Sequence, residues 1–171
     1  VLKALKISGL KFKVKFYPDK NNLKNYDYKS VLNKEKNINC AIVVVPDHLH
    51  YKVVDECLNY NLHTLVVKPF TTKVADAKKL IAKKNSKNVH GLVEFHKRFD
   101  KHNVLLKNTY DNQKLGQPLY FNVEYSQKKI VPEKIFRKWA DKTNILQYLG
   151  VHYIDLVYFV TKATPMRVLA M

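Results

Sequence analysis

Glycine is scarce in this chain. Only four of its 171 residues are glycine, and Gly9 is the only one that precedes Gly91. The chain therefore contains no G-x-G-x-x-G turn, the motif whose glycines let backbone N–H groups approach a pyrophosphate at a helix N-terminus. Phosphate binding through that motif is excluded within these residues.

Cysteine and long apolar runs are also rare. Cys40 and Cys57 are the only cysteines, and they form neither a C-x-x-C motif nor a wider framework. This pattern is typical of a reduced, cytoplasmic protein with two structural thiols. Because no run of about 18 apolar residues and no recognisable signal peptide occur, we expect a cytoplasmic protein without a membrane span.

Acidic residues are outnumbered, with 14 Asp and Glu against 31 Lys and Arg, which gives a net charge of +17. Such an excess occurs in proteins that bind nucleic acids or anionic membranes. Only three of the cations are arginine, however, and the lysines are spread evenly along the chain. Nucleic-acid faces cluster charge and use arginine for bidentate contacts. The composition favours a solvated lysine-rich surface, and nucleic-acid binding is the minority alternative.

The first half of the chain alternates predicted strands and helices. Apolar runs rich in β-branched residues indicate buried strands, and apolar stripes at helical spacing indicate helices, one of them opened by Thr72 as N-cap. The predicted strands are 12–17, 40–46, 63–69 and 88–95, and the predicted helices are 26–37, 50–61 and 72–85. Repeated β-α-β units predict an α/β fold with a doubly wound parallel sheet of the Rossmann type.

The pattern changes after residue 95. A helix closed by Gly116 and Pro118 precedes a segment, 119–127, that alternates polar and apolar residues as an antiparallel strand with one open face does. A helix over about 144–161 and a last strand over 166–171 follow. We therefore predict a domain boundary near residues 90–98, with a nucleotide-binding type of fold before it and the beginning of an α+β domain after it.

Four segments, in order along the chain, resemble motifs of the Gfo/Idh/MocA oxidoreductases. The segment "AIVVVPDHLHYKVVDECLNYNLHTLVVKPF" is similar to the family's "TPNxxH…GKHVxxEKP". The others are "GLVEFHKRFD", "KLGQPLYFNVEYS" and "LGVHYIDLVYF", similar to its "RF(D/N)P" helix start, its "G-x-(I/L)-G-x-P" sheet entry and its "D-x-G-x-H-x-x-D" helix. The matching residues are Pro46, His50, His63, Lys68, Pro69, Gly150, His152 and Asp155.

The resemblance implies an NAD- or NADP-dependent enzyme that transfers hydride between nicotinamide and a hydroxyl or carbonyl of a sugar, polyol or sugar derivative. It also implies a homo-oligomer, and a chain that is a fragment lacking the family's N-terminal G-x-G-x-x-G segment and part of its C-terminal domain. On this resemblance, residues 1–95 form a partial dinucleotide-binding domain with an incomplete Rossmann-type sheet. Residues 96–171 form a partial α+β substrate and oligomerisation domain with a mainly antiparallel sheet. The alternative is a non-catalytic binding or scaffolding relative of the same fold.

Two catalytic residues are implied by the resemblance. Lys68 would lie between nicotinamide and substrate and donate to the reacting oxygen, whereas its spacing alone favours a solvated strand end. His152 would accept the proton of the substrate hydroxyl, whereas a lone histidine on an apolar helix is more often a core group. Asp155, three residues further on, is a candidate substrate-binding residue that could also orient His152, with a surface or interdomain salt bridge as the alternative.

The chain departs from the family at two positions of this region. Tyr148 stands where the family has an aspartate, and Val67 replaces the glutamate of "EKP". Tyr148 can hydrogen-bond a sugar hydroxyl but brings no negative charge, which puts the usual Lys/Asp/His relay in doubt. Arg98 and Trp139 are further candidates for substrate binding, with a helix-start ion pair and interdomain packing as their respective alternatives.

The cofactor contacts are predicted on the loops that follow the strands. Asp19 is the candidate for the adenosine ribose hydroxyls and would favour NAD, whereas its neighbour Lys20 could meet the 2′-phosphate of NADP. The residues expected near nicotinamide are Pro46, Asp47, His50, Lys68 and Pro69. The histidines show no metal-ligand spacing, so no metal site is predicted.

Overall fold

The computed structural model describes residues 28–35 and 37–170. The chain divides into two compact units, Val1–Asn37 and Ile38–Met171. In the described part of the first unit, helix α1 covers Tyr28–Lys34 and confirms the short helix predicted there. The strand predicted over 12–17 and the candidate Asp19 lie outside the described residues.

The second unit begins with a parallel three-stranded sheet. Strands β1 (Cys40–Val43), β2 (His63–Val67) and β3 (Gly91–Glu94) lie side by side in chain order. Helix α2 (His50–Asn59) joins the first pair, and helix α3 (Val74–Ser86) joins the second. This β-α-β-α-β arrangement confirms the predicted Rossmann-type parallel sheet. Parallel pairing also brings the carboxyl ends of all three strands to one edge.

The core of this unit lies between the sheet and its two helices. Leu58 of α2, Val66 of β2 and Leu80 of α3 are each 1% exposed. Cys57, on the buried stripe of α2, is a free thiol whose pKa is raised to about 11 by burial. That thiol stays protonated at neutral pH, which agrees with the structural role predicted for it.

Asparagine takes the place of glycine at the turns that end these helices. Asn61 follows α2 and Asn88 follows α3, with positive φ angles of 55° and 51°. Asparagine adopts this left-handed conformation more readily than other non-glycine residues and is an accepted C′ residue of helices. A glycine-poor sequence thereby still makes two sharp helix-to-strand turns.

Short helices dominate the rest of the second unit. After β3, a 3₁₀ turn covers His96–Phe99, and helix α4 covers Lys101–Asp111. Two more short turns follow at Val131–Ile135 and Ala140–Lys142. A π-helical turn at Leu146–Gly150 then leads directly into helix α5 (Val151–Thr161), where the sequence predicts a helix over 144–161. None of the helices within residues 28–35 and 37–170 is long and apolar enough to cross a membrane.

Two details of the sequence prediction are corrected. The segments 119–127 and 166–170 form no strand in the structure, because a strand needs a ladder partner and the described chain offers them none. Their apolar side chains are exposed, as at Leu119 (94%) and Met166 (90%). Helix α3 begins at Val74 after Lys73, so Thr72 is not its N-cap.

Replacing Leu80 by alanine should lower the free energy of unfolding by about 2–4 kcal/mol, because the change leaves a cavity in the core. Ile81→Ala is the matched control on the same helix, since the Ile81 side chain is 49% exposed. It should cost under about 1 kcal/mol. Urea unfolding of both variants measures the difference, and equal losses would contradict this description of the core.

Candidate active site

Three loops meet at the edge where the parallel strands end. Strand β1 leads to Pro46 and the turn Asp47–Leu49, and β2 leads to Lys68 and Pro69, which are joined by a cis peptide bond. Strand β3 leads to the turn His96–Phe99. Open α/β sheets bind their ligands at this edge. The residues predicted near nicotinamide therefore come together here.

His50 ties the first two loops to each other. Its ring is fully buried; Nδ1 lies 2.5 Å from the carbonyl oxygen of Pro69, and Nε2 lies 2.9 Å from that of Val45. Both ring nitrogens thus contact the protein's own backbone. The predicted role of His50 in cofactor binding stays a prediction. With this geometry the role would be indirect: the ring would position the two loops that contact the cofactor.

Asp47 connects the first loop to the second half of the chain. The residue is only 4% exposed, and its Oδ2 accepts a hydrogen bond of 2.7 Å from the Thr143 hydroxyl. The carboxylate also acts on Lys68: burial lowers the pKa of that lysine, and the negative charge of Asp47 opposes part of the shift. A buried charge at this position thus serves both as an anchor and as an electrostatic partner of the lysine.

The Lys68 side chain is half-buried and held by Tyr148. Its ammonium donates a hydrogen bond to the backbone carbonyl of Tyr148 and lies 4.0 Å from the centroid of the Tyr148 ring. Burial lowers the pKa of Lys68, while the carboxylates of Asp47 and Glu94 oppose that effect. An ammonium with these contacts is not freely solvated, in contrast to the strand-end alternative.

Tyr148 belongs to an aromatic cluster with Phe136 and Trp139. The ring centroids are 5.2 Å apart for Phe136 and Tyr148, 6.0 Å for Trp139 and Tyr148, and 4.8 Å for Phe136 and Trp139. Burial raises the pKa of the Tyr148 hydroxyl, and the negative charge of Asp47 raises it further, so the phenol stays neutral. Tyr148 thus meets Lys68 through its ring face and its carbonyl, where the family pattern has a carboxylate.

His152 lies on α5, near the same edge, and is 2% exposed. Its Nδ1 is buried and has no hydrogen-bond partner in the structure. Burial, together with the positive charges of His96, Lys68 and Lys97, lowers the pKa of the imidazole to about 4. The ring is therefore neutral near pH 7 and able to accept a proton, as a general base must be.

Arg98 and Asp155 pair with each other. The guanidinium Nε donates to Asp155 Oδ2 at 2.7 Å, and a second guanidinium nitrogen donates to Oδ1. The Asp155 side chain is 9% exposed and that of Arg98 32%. This bidentate pair joins the turn after β3 to α5, and it is the ion-pair alternative raised for both residues. Their predicted roles in substrate binding stay predictions.

The sequence analysis did not identify His96 and Glu94 as functional candidates. His96 packs edge-on against His152, with ring centroids 4.3 Å apart, and its Nδ1 lies 3.3 Å from Glu94 Oε2. No spacing in the sequence signals this contact, because 56 positions separate the two histidines.

In the part of the chain that the structure describes, no group of three His, Cys, Asp or Glu residues could hold a metal ion.

Known proteins of similar sequence are oxidoreductases. An uncharacterized oxidoreductase of Schizosaccharomyces pombe is 33% identical over 140 residues, which are 78% of this chain and 37% of that protein. Inositol 2-dehydrogenase of Salmonella typhimurium is 32% identical over 135 residues, which are 78% of this chain and 38% of the enzyme. The chain thus spans little more than a third of the length of these relatives.

Solved structures share the fold. Myo-inositol 2-dehydrogenase from Lactobacillus plantarum superposes with a TM-score of 0.71 at 23% identity, covering 81% of this chain and 41% of that one. Scyllo-inositol dehydrogenase from Lactobacillus casei gives a TM-score of 0.63 at 18% identity, covering 80% and 39%. At such identities the likeness establishes the fold alone.

Two family models match the chain in succession. The model described as "Oxidoreductase family, NAD-binding Rossmann fold" matches residues 3–95. The model described as "GFO/IDH/MocA C-terminal domain" matches residues 104–171. Together with the parallel sheet and the loops at its edge, these matches establish that the chain belongs to the Gfo/Idh/MocA family of NAD(P)-binding oxidoreductases.

Proposed function

We propose that this chain is part of an NAD(P)-dependent dehydrogenase or reductase that acts on a sugar, polyol or sugar derivative. The observation that carries the proposal is the convergence of a partly desolvated ammonium, on Lys68, and a buried neutral imidazole, on His152, near one sheet edge. The two groups are close enough for the charge of Lys68 to lower the pKa of His152. The relatives named as inositol dehydrogenases support a polyol substrate.

The strand ends fit a dinucleotide at the nicotinamide side. Pro46 and Asp47 on one loop and Pro69 on the other are fixed relative to each other by His50, which leaves a preformed edge. When bound, the nicotinamide supplies the acceptor or donor of hydride. Asp19 and Lys20 lie outside the described residues, so NAD and NADP both remain candidates.

The two reacting side chains have complementary tasks. The Lys68 ammonium donates to the substrate oxygen, where negative charge develops as the neighbouring C–H bond breaks and its electron pair leaves as hydride. His152 takes the proton of the same hydroxyl, so the O–H electrons form the new carbonyl bond. In the reductive direction His152 returns that proton to the oxygen.

Tyr148 stands where the family pattern has an aspartate, and it contacts Lys68 of the proposed Lys68–His152 pair. Its carbonyl and ring face stabilise the ammonium without neutralising it, so the positive charge stays available to the substrate oxygen. The ring of Trp139, which neighbours Tyr148, offers an apolar face for a sugar ring, and the Arg98–Asp155 pair offers polar groups. These four residues are the proposed substrate-binding set.

The proposal extends to the organisation of the protein. Family models that match on either side of residues 96–103 support a division into a dinucleotide-binding domain, 1–95, and a substrate domain, 96–171. Two free thiols, Cys40 and Cys57, support a reducing, cytoplasmic compartment. The substrate is a small molecule, and the assembly proposed is a homo-oligomer.

Fluorescence titration with NADH and NADPH tests the proposed function. The 171-residue chain should show no measurable affinity, because it contains no pyrophosphate-binding turn. The longer protein that the resemblance implies should bind one of the two saturably and oxidise polyols such as myo-inositol. Absence of saturable binding in the longer protein would favour the scaffolding alternative, and micromolar binding by the 171-residue chain would show that the turn is dispensable.

In the longer protein, Lys68→Ala should lower kcat by about 10²–10⁴, the loss expected for one positioned electrostatic group. Lys68→Arg should restore little of it, because a planar, bulkier guanidinium cannot take the position of the compact ammonium. Lys73→Ala is the control, since Lys73 is an exposed lysine five residues away. Turnover is measured with a substrate found by screening polyols. A wild-type kcat in Lys68→Ala would show that Lys68 is only a solvated residue at the end of a strand, without a catalytic role.

His152 should make the fold sensitive to acid. In the unfolded chain the imidazole of His152 has a pKa of ~6.5, whereas in the folded protein its pKa is about 4. Between these two pH values the unfolded state binds one more proton than the folded state. The free energy of unfolding therefore falls as the pH drops from ~6.5 to ~4. The loss should reach about 2–3 kcal/mol. Urea unfolding at several pH values should show a flatter slope in His152→Gln, whereas His102→Gln, which changes an exposed histidine, should keep the wild-type slope.

A further inference from the structure

A base as deeply buried as His152 must exchange its proton with solvent by some route. Its ring is 2% exposed, and its Nδ1 has no hydrogen-bond partner in the structure. Each oxidative turnover would leave one proton on this ring, and that proton must leave before the next turnover. The question applies only if His152 is the base of the proposed reaction, so the inference rests on the proposed function.

One neighbouring side chain spans the distance from His152 to solvent. The ring of His96 packs edge-on against that of His152, with centroids 4.3 Å apart and an interplanar angle of 66°. The His96 side chain is 55% exposed, and its Nδ1 lies 3.3 Å from a carboxylate oxygen of Glu94. An imidazole that touches the buried ring on one side and water on the other can carry protons between them.

Electrostatics near His152 favour departure of the proton. The groups that act on it are His96 and Lys97 from the turn after β3, Lys68 from the loop after β2, and Asp155 of its own helix. The first three are cationic when protonated and oppose a charged His152. Asp155 opposes them only in part, because its carboxylate is paired with Arg98.

We propose that His96, together with Glu94, forms the route by which a proton passes between the buried His152 and solvent. An N–H bond of protonated His152 breaks, and an N–H bond on His96 forms, directly or through one water. His96 then releases a proton to Glu94 or to bulk water, so that no net charge stays in the core. The step moves one proton and requires no oxidant or reductant.

Glu94 suits this role because of its position at the end of β3. Its carboxylate is next to the exposed histidine and is also close enough to Lys68 to oppose part of the lowering of that lysine's pKa by burial. A proton that reaches Glu94 has therefore left the hydrophobic surroundings of α5. The side chain stands at the boundary between the proposed site and solvent.

The route can be tested by NMR on the 171-residue chain, without cofactor or substrate. In a sample labelled with ¹⁵N-histidine, the exchange rate of the His152 ring N–H with water is measured near pH 7. His96→Phe keeps an aromatic ring against His152 but removes both nitrogens, and it should slow the exchange by about tenfold or more. Glu94→Gln should slow it less, since water can still receive the proton from His96.

His102→Phe is the matched control, since His102 is an exposed histidine on α4. It should leave the exchange rate of His152 unchanged. The pKa of His152 should also rise from about 4 in His96→Phe, because one repelling cation is gone while burial persists. If the NMR spectrum of His96→Phe shows that this variant does not fold, the exchange rate of His152 is measured in His96→Gln instead.

Equal exchange rates in the wild type, His96→Phe and His96→Gln would overturn the proposed route, as would equal slowing by His102→Phe. This outcome is separate from the fate of the proposed function, because dinucleotide binding and turnover are measured on the longer protein. Slow exchange in the His96 variants, with normal exchange in the control, is the result that the proposal requires.

Discussion

The contacts of one buried histidine fix the edge of the sheet on which the proposed site is built. The ring of His50 holds the carbonyls of Val45 and Pro69 at 2.9 and 2.5 Å, and thereby sets the spacing of the loops after β1 and β2. Lys68 directly precedes Pro69, and Asp47 follows Val45 by two residues. The contacts of His50 with these two loops therefore also position the charged groups of Lys68 and Asp47. Backbone groups at a sheet edge would otherwise need water as partners.

A second constraint comes from the exchange of a carboxylate for an aromatic ring. Where the family pattern has an aspartate, Tyr148 meets Lys68 with a carbonyl oxygen and a π face. Neither brings a full negative charge, so burial outweighs the raising effects of Asp47 and Glu94, and the pKa of the lysine falls. Burial, together with the positive charges of its neighbours, keeps the imidazole of His152 neutral. A carbonyl oxygen and a ring face thus stand beside Lys68 where the family pattern has a full negative charge.

The parts of the fold that follow local patterns were predictable. Strands β1 to β3 and helices α2 and α3 follow from apolar runs and helical stripes, because each of these elements buries side chains such as Val66 and Leu80 at the expected period. The alternating segment 119–127 has the pattern of a strand and yet forms none. A strand depends on a ladder partner, which its own sequence does not specify.

The sequence by itself determined the order of the elements, the parallel sheet and the residue types at its edge, since these depend on periodicity and on motifs within short segments. Tertiary structure alone decided the partners: Lys68 with Tyr148, Arg98 with Asp155, and His96 with His152. These pairs are separated by 80, 57 and 56 positions along the chain. Such contacts arise from packing between distant elements, and their energies depend on burial and geometry that no local pattern encodes.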